Sequence, residues 1–435
     1  MILAIRRSPT GGQAKGKAHR IGASQGTALL TGGVLGPGVL ALPGLAAQAA
    51  GPAAVVAWAG LLALSVPVAL TFAVLGARFP GGGGVAAFAS RAFGPRVSAL
   101  AGWWFYLSIP CGVFAGALIG GEYVAAELGL GRAGAFATAV ALLAVAFAAN
   151  FAGLRLSGRL QLLLTGLLVL LLVTAVLAAA PHVRAADFVP FAPHGWTGVV
   201  HAAGVLFFAF VGWEAASHLS GDFADPRRDL YRATVLTLVI AGVLYVGLAV
   251  ASAGVLRGPA GESPVALTAL LELGIGGAAR PVTAVAALVL SFGALNTYIA
   301  GIARLGPALA REGALPRPVA TAAMAGRGLA APAALTTLAA ASAAVLSLDL
   351  DALMRSTSAC LAAVTAIGCA AAARLLTGRP RRLAQVATAF TLLVLASCGA
   401  YLLIPTAIAL AVLLGTGTTR TSPATPWRPQ PGAPR

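Results

Sequence analysis

Residues 31–44 read TGGVLGPGVLALPG, and this stretch constrains the fold more than any other part of the chain. It is apolar enough to lie in a bilayer, yet five glycines and two prolines make a continuous helix unfavourable. Backbone polar groups at membrane depth need partners, so a broken helix is tolerated there only inside protein or beside a cavity. Transporters use such breaks to present bare peptide groups to a substrate. The alternative is a glycine-rich helix that packs closely against its neighbours.

The composition indicates a membrane protein. Of 435 residues, 59% are hydrophobic and 9% charged, whereas a soluble protein carries about a quarter charged residues. The net charge of +17 would also suit a nucleic-acid-binding protein, but the basic residues lie in short segments between apolar runs. We therefore predict no nucleic-acid partner. The four cysteines lack metal-ligand spacing, so no metal or cofactor site is predicted either.

Apolar stretches long enough to cross a bilayer, about 20 residues each, recur along the whole chain. We place spans at 26–48, 53–76, 98–126, 134–152, 160–179, 198–220, 233–256, 280–308, 329–348 and 353–374. The stretch 383–415 is either one long helix or two short ones. We favour two helices that turn near Cys398–Gly399, which gives about twelve spans.

The arginine distribution supports this scheme, because cytoplasmic loops carry an excess of basic residues. With these spans, most basic residues and both tails fall on one side of the membrane. The exceptions are Arg132, Arg184, Arg257, Arg280 and Arg355. We therefore predict a multi-pass protein of the plasma (inner) membrane with both termini in the cytoplasm.

A second interrupted helix is predicted in the sixth span, where residues 204–223 read GVLFFAFVGWEAASHLSGDF. Glu214 and His218 lie four residues apart, hence on one helix face, and Gly212 marks the expected break. Ionisable groups inside a membrane usually face a cavity or a partner. Alternatively, Glu214 forms a structural hydrogen bond and His218 faces cytoplasmic water. Spans one and six are five spans apart, as two inverted five-helix repeats require.

These spans divide the chain into two repeats, a helical pair and two tails. The repeats are 26–179 and 198–374, the pair is 383–415, and the tails, predicted to be disordered, are 1–25 and 416–435.

Four motifs resemble the amino acid–polyamine–organocation permeases over residues 20–415. They are GGVLGPGVLALPG in the first span, ARFPGGGGVAAFASRAFG (77–94), FFAFVGWEAASHLSGDFADPRRDLYRA (207–233) and NTYIAGIARLGPALAREGALP (296–316). Within that superfamily, the EAASHLSGDFADPRRD run is most similar to bacterial exporters of methionine and branched-chain amino acids. The resemblance implies an all-α polytopic membrane protein with a LeuT-like five-plus-five core and two additional C-terminal helices.

The resemblance also implies that the ligand is a zwitterionic amino acid. We expect amides around Gly36, Gly38 and Val39 to bind its carboxylate, since Pro37 has no N–H to donate. Carbonyls near Phe210, Val211 and Gly212 would accept from its ammonium group.

The expected side-chain pocket is mostly apolar, which favours methionine, leucine, isoleucine or valine. Aromatic candidates are Phe207, Phe208, Phe210, Trp213 and Tyr106, with Phe210 and Trp213 preferred as a gate. Polar candidates are Glu214, Ser291, Asn296 and Ser356.

Proton antiport is the coupling hypothesis. Some relatives carry a lysine in the fifth span, but LQLLLTGLLVLLLVTAVLAA here has no ionisable residue. Glu214, His218 and Glu122 are therefore the candidates for gating or proton coupling, and Glu214 is preferred.

An importer or exchanger would use the same site. A membrane enzyme would need a catalytic set such as HExxH, and a channel would need a continuous polar lining; neither pattern is visible. The oligomeric state stays open.

Overall fold

The computed structural model describes residues 21–79, 84–153, 158–214, 216, 220–256, 265–311, 321 and 329–415. Within these ranges the regular structure is helical, with fifteen α-helices. The first eight are α1 (Ala23–Val34), α2 (Gly38–Ala50), α3 (Ala54–Arg78), α4 (Gly84–Phe93), α5 (Pro95–Leu128), α6 (Gly131–Phe151), α7 (Gly158–Ala179) and α8 (Gly195–Leu206). The others are α9 (Tyr231–Val255), α10 (Ala266–Ile275), α11 (Ala279–Arg311), α12 (Ala330–Val345), α13 (Leu350–Leu375), α14 (Gly378–Ser397) and α15 (Leu403–Gly415).

Seven helical stretches in the described part of the chain are long and apolar enough to cross a membrane. A further pair, α14 and α15, meets at 114°. The turn between them lies at Cys398–Gly399, where the sequence places it. The helices at 195–210 and 330–345 are apolar but shorter. The all-α membrane fold is thus confirmed, while the count of twelve spans stays a prediction.

Exposed aliphatic side chains run in stripes along the outer helices. On α7, Leu163, Leu170 and Leu177 follow one another at seven-residue spacing, and each exposes more than 60% of its surface. Seven residues are close to two helical turns, so the three side chains lie on one face. Since water would penalise such a surface, this face is suited to lipid.

Helix α5 lies at the centre of the bundle and packs against α4, α6, α11 and α13. Its glycines permit close approach: a Cβ atom on Gly121 would overlap the backbone carbonyl of Ala135 in α6. Gly120 packs against Ser291 and Leu142, and Gly32 of α1 packs against Thr165 of α7. These spaced glycines are therefore used for packing within the bundle.

The segment before α1 is joined to the segment that follows the sixth span. Ile21 and Phe223 form an isolated parallel bridge, in which Ile21 N–H donates to the Asp222 carbonyl at 3.0 Å. The Ala224 N–H donates in return to the Ile21 carbonyl at 3.1 Å. The Phe223 ring also packs directly on Gly26.

We predict that Gly121→Ala destabilises the protein, because its new methyl group meets backbone that cannot rotate away. Overpacking of this kind costs roughly 1–3 kcal/mol. The matched control is Gly60→Ala in α3, where nothing lies within 4 Å of the added atom. Thermal unfolding in detergent should show a lower midpoint for Gly121→Ala alone. Equal midpoints for the two variants would contradict the close α5–α6 contact.

Candidate functional site: two helix breaks and the cavity between them

The first span is broken between α1 and α2, as predicted. Helix α1 ends at Val34, and α2 begins at Gly38 after Pro37, which has helical dihedral angles. The Leu35 amide donates to the Thr31 carbonyl at 2.7 Å, and the Gly36 amide to the Val34 carbonyl at 3.0 Å. The interruption is thus a short turn whose own peptide groups pair with one another.

This pairing corrects one expectation from the sequence. The Gly36 amide is occupied, and so is the Val39 amide, which donates to the Gly36 carbonyl at 3.3 Å. Both find partners because the chain turns tightly here instead of unwinding. The Gly38 amide has no hydrogen-bond partner among the described residues. It opens helix α2, whose N-terminal amides and dipole favour an anion.

The second break follows α8, and it also confirms the prediction. A 3-10 turn covers Phe207–Phe210, Val211 is extended, and Gly212 has a φ of 123°. Glu214 is buried, and its Oε2 accepts from the Gly212 amide at 3.1 Å. The carboxylate therefore serves a structural purpose: it binds an amide that the break has freed.

The two breaks touch each other at Gly212. A Cβ atom there would lie 2.6 Å from the carbonyl oxygen of Gly33 in α1. Positive φ and this close approach both require glycine at position 212. Two segments that are far apart in the sequence thus meet backbone to backbone.

Tyr245 of α9 links the two breaks through its hydroxyl. The hydroxyl donates to the Ala209 carbonyl at 2.9 Å and lies 3.3 Å from the Val34 carbonyl. Its ring is fully buried and packs against Trp58 and Phe210, with centroid distances of 5.0 Å each. Sequence analysis did not single out Tyr245, since an aromatic residue in an apolar span gives no sign of a partner in another span.

A small cavity of about 20 Å³ lies between the breaks, α5 and α11. Such a volume holds little more than a water molecule, so this conformation cannot enclose an amino acid. The lining comprises Gly33, Val34, Gly36, Pro37, Gly38, Val39, Gly112, Gly116, Phe208, Ala209, Val211, Ala294, Leu295 and Tyr298. Six candidates from the sequence are therefore brought together here: Gly36, Pro37, Gly38, Val39, Phe208 and Val211.

The proposed aromatic gate is not at the cavity. Phe210 packs against Trp58 and Tyr245, and Trp213 is buried away from the lining. Tyr106 packs against Trp103, at a centroid distance of 6.2 Å. Phe208 lines the cavity instead. The reason is the 3-10 turn, which changes the angle between successive side chains, so that helical periodicity no longer tells which of them face the cavity.

The polar candidates also lie elsewhere. Asn296 accepts from the Asn150 side chain at 3.0 Å, and Ser291 lies beside Gly120. Glu122 and Gly212 are not in the lining, and Ser356 lines a separate hollow. His218 lies outside the described residues. Polar residues in an apolar span can pair with neighbouring helices, and sequence alone cannot distinguish that from facing the substrate.

Two exposed polar residues of α11 adjoin the cavity. Tyr298, which sequence analysis missed, lines the cavity and exposes 44% of its surface. Its neighbour Thr297 is exposed and donates to Gln161 of α7 at 3.3 Å. Exposed polar groups are unfavourable in lipid, so we infer that these residues face water. Gln161 is near the start of α7, on the side predicted to be cytoplasmic.

Broken spans that meet over a central cavity define a class of membrane transporters rather than an enzyme. The fold is shared with a manganese transporter from Eremococcus coleocola, known from the crystal structure of a mutant. The TM-score is 0.54 over 91% of this chain and 92% of that one, at 16% identity.

The chain belongs to the amino acid permease family, whose sequence model matches residues 21–427. It is 35% identical to the amino acid permease YecA of Bacillus subtilis over 67% of this chain and 69% of that protein. It is also 35% identical to the L-methionine/branched-chain amino acid exporter YjeH of Escherichia coli, over 67% and 70% of the two chains. The protein is therefore a secondary amino acid transporter, as the motifs indicate.

We predict that Gly212→Ala disrupts the contact between the breaks. The substitution forces both an unfavourable φ and an overlap with the Gly33 carbonyl, so the loss should exceed about 2 kcal/mol. Gly242→Ala in α9 is the control, because nothing lies within 4 Å of its added atom. Thermal unfolding in detergent measures both. Equal stability would show that the breaks do not touch.

Proposed function

We propose that this transporter exports neutral aliphatic amino acids, methionine and the branched-chain group, across the plasma membrane. The observation that carries the proposal is the apolar lining of the cavity. Val34, Val39, Phe208, Val211 and Leu295 supply its side-chain surface, and the described lining contains no charged side chain. Similarity to the Escherichia coli exporter supports the same substrate group.

The backbone of the substrate is bound by peptide groups in this proposal. The Gly38 amide, at the N-terminus of α2, binds the carboxylate. Carbonyls of the second break near Phe210, Val211 and Gly212 bind the ammonium group. The Ala209 carbonyl, also at the cavity, already accepts one hydrogen bond from Tyr245. The cavity must widen to admit the substrate, and Phe208 and Tyr298 are the largest lining side chains, so their movement would control that widening.

Proton antiport through Glu214 is part of the proposal. Its carboxylate supports the second break by accepting from Gly212. A protonated carboxyl accepts a hydrogen bond more weakly than a carboxylate does, so proton uptake would loosen the break. This links proton binding to the shape of the substrate site.

The same architecture would serve an importer or exchanger, so the direction of substrate transport is determined by measuring substrate flux across the membrane. The predicted cytoplasmic tails follow from the arginine distribution and give the orientation for that experiment. Counterflow of labelled methionine and leucine in proteoliposomes tests the carrier function. Saturable counterflow with both is expected. Its absence with every neutral amino acid would overturn the proposal.

We predict that Gly36→Ala lowers the apparent affinity for substrate while the protein stays stable. The added methyl group would meet only the Tyr298 hydroxyl, at 3.9 Å, and would fill the cavity. Counterflow at subsaturating methionine should fall by about tenfold, the effect of roughly 1.4 kcal/mol. Gly60→Ala is the control. Unchanged affinity would remove this cavity from the substrate site.

We predict that Glu214→Gln abolishes the acceleration of transport by a pH gradient, because glutamine cannot exchange a proton. The measurement compares methionine efflux from vesicles with and without an imposed gradient. Counterflow at equal pH serves as the control for substrate binding. A variant that retains the full gradient effect would exclude Glu214 from coupling.

A further inference from the structure

A cluster of ionisable side chains lies on the side of α8 away from the break, outside the cavity described above. Nη1 of Arg355 in α13 is 2.9 Å from both ring nitrogens of His201 in α8. Oδ2 of Asp351 lies 3.4 Å from Nε2 of His201 and 3.9 Å from Nη1 of Arg355. We call His201, Asp351 and Arg355 the outer cluster, because the arginine distribution places this end outside the cytoplasm.

The outer cluster joins three parts of the bundle. His201 belongs to the half-helix that precedes the second break, and Asp351 and Arg355 belong to α13. The Arg355 guanidinium also stacks on Tyr401 at the α14–α15 turn, 4.9 Å from the ring centroid. These contacts hold α8 against helices outside the two breaks. Release of the cluster would therefore remove one of the sets of contacts that hold α8 in place.

The protonation state of His201 decides whether the cluster is balanced in charge. With neutral His201, the positive charge of the Arg355 guanidinium and the negative charge of the Asp351 carboxylate cancel. The imidazole accepts a hydrogen bond from Arg355. Protonation removes that acceptor and places a second positive charge beside Arg355. Arg355 has only 10% of its side chain exposed, so it cannot relieve the repulsion by turning into water. Protonated His201 can pair with Asp351, 3.4 Å away, but the cluster as a whole then carries one uncancelled positive charge beside the buried Arg355, which is unfavourable.

Other charged groups near the cluster do not cancel this added charge. Asp349 is the nearest further carboxylate by sequence, and its side chain already caps α13 by accepting from the Ala352 amide at 2.9 Å. Helices α2, α3 and α14 also pack on α8. Helix α2 has no ionisable residue, and Arg78 of α3 and Arg379, Arg381 and Arg382 of α14 lie at the far ends of those helices. Among the described residues, Cys398 and Tyr401 at the α14–α15 turn are further titratable neighbours, and both are neutral in this range. Arg132, which donates to the Leu348 carbonyl at 3.0 Å, adds positive charge near Asp349 rather than cancelling it.

Protons reach the cluster from water. The His201 side chain exposes 45% of its surface, against 21% for Asp351. Thr297, next to the cavity residue Tyr298, contacts Gln161 near the start of α7, on the opposite, predicted cytoplasmic side.

We propose that the outer cluster is a proton-operated latch: uptake of an external proton by His201 releases α8 and favours opening toward the outside. The latch rests on the transport function proposed above and names a proton site that is distinct from Glu214. For an exporter, an acidic exterior would then promote the state that discharges substrate and accepts a proton.

Hydrogen–deuterium exchange of the α8 backbone tests the latch without any substrate. The wild type, His201→Gln and His194→Gln are compared at about pH 5.5 and about pH 8, a range that brackets histidine titration. The intrinsic rate of amide exchange depends on pH, so the proteins are compared with one another at the same pH. We expect α8 in the wild type and in His194→Gln to exchange about tenfold faster than in His201→Gln at the acidic pH, and equally at the basic pH. His194 is exposed at the start of α8 and is outside the cluster.

A second variant, Asp351→Asn, is expected to have the opposite effect on α8 to that of His201→Gln. It carries at basic pH the same excess positive charge that protonation creates in the wild type. Its α8 should therefore exchange rapidly at both pH values. Exchange in His201→Gln that follows the wild type at both pH values would overturn the latch, as would slow exchange in Asp351→Asn at basic pH.

Counterflow separates failure of the latch from failure of the transport function. With internal pH fixed, external acid should accelerate efflux more in the wild type than in His201→Gln, which keeps Glu214 for coupling but lacks the latch, while counterflow at basic pH is equal in both. If external acid accelerated efflux equally in the two proteins, the latch alone would be overturned. Absence of counterflow in the wild type would overturn the transport proposal, and the exchange results would still decide whether α8 is proton-sensitive.

Discussion

The structure depends on the requirement that peptide groups inside a membrane find partners within the protein. Interrupting two helices at one depth frees several such groups. Several of these peptide groups have hydrogen-bond partners close by. The turn after α1 pairs internally, Glu214 accepts from the Gly212 amide, and Tyr245 donates to the Ala209 carbonyl. The Gly38 amide, left without a partner among the described residues, is the group available to a ligand.

Sequence analysis located the breaks because their cause is local. Glycine and proline disfavour helix wherever they occur, so residues 31–44 and Gly212 could be identified without tertiary information. The side chains that face the cavity were harder to identify. Phe208 replaced Phe210 and Trp213 because a 3-10 turn altered the helical periodicity. Tyr245 was missed because its importance arises from contacts with Val34 and Ala209, which are far away in sequence.

The shared fold with a manganese transporter shows how little the architecture alone says about cargo. The cargo is decided by the chemistry of the site rather than by the fold. A metal ion calls for several oxygen or sulfur ligands. The described lining here instead offers aliphatic and aromatic surface beside one free amide, a combination suited to a small molecule with a charged end and an apolar end.

The bridge between Ile21 and Phe223 has a mechanical consequence. It ties the start of α1 to the segment beyond the second break through two backbone hydrogen bonds and the packing of Phe223 on Gly26. The start of α1 is thereby joined to residues 222–224, so that a tilt of α1 would carry this segment with it.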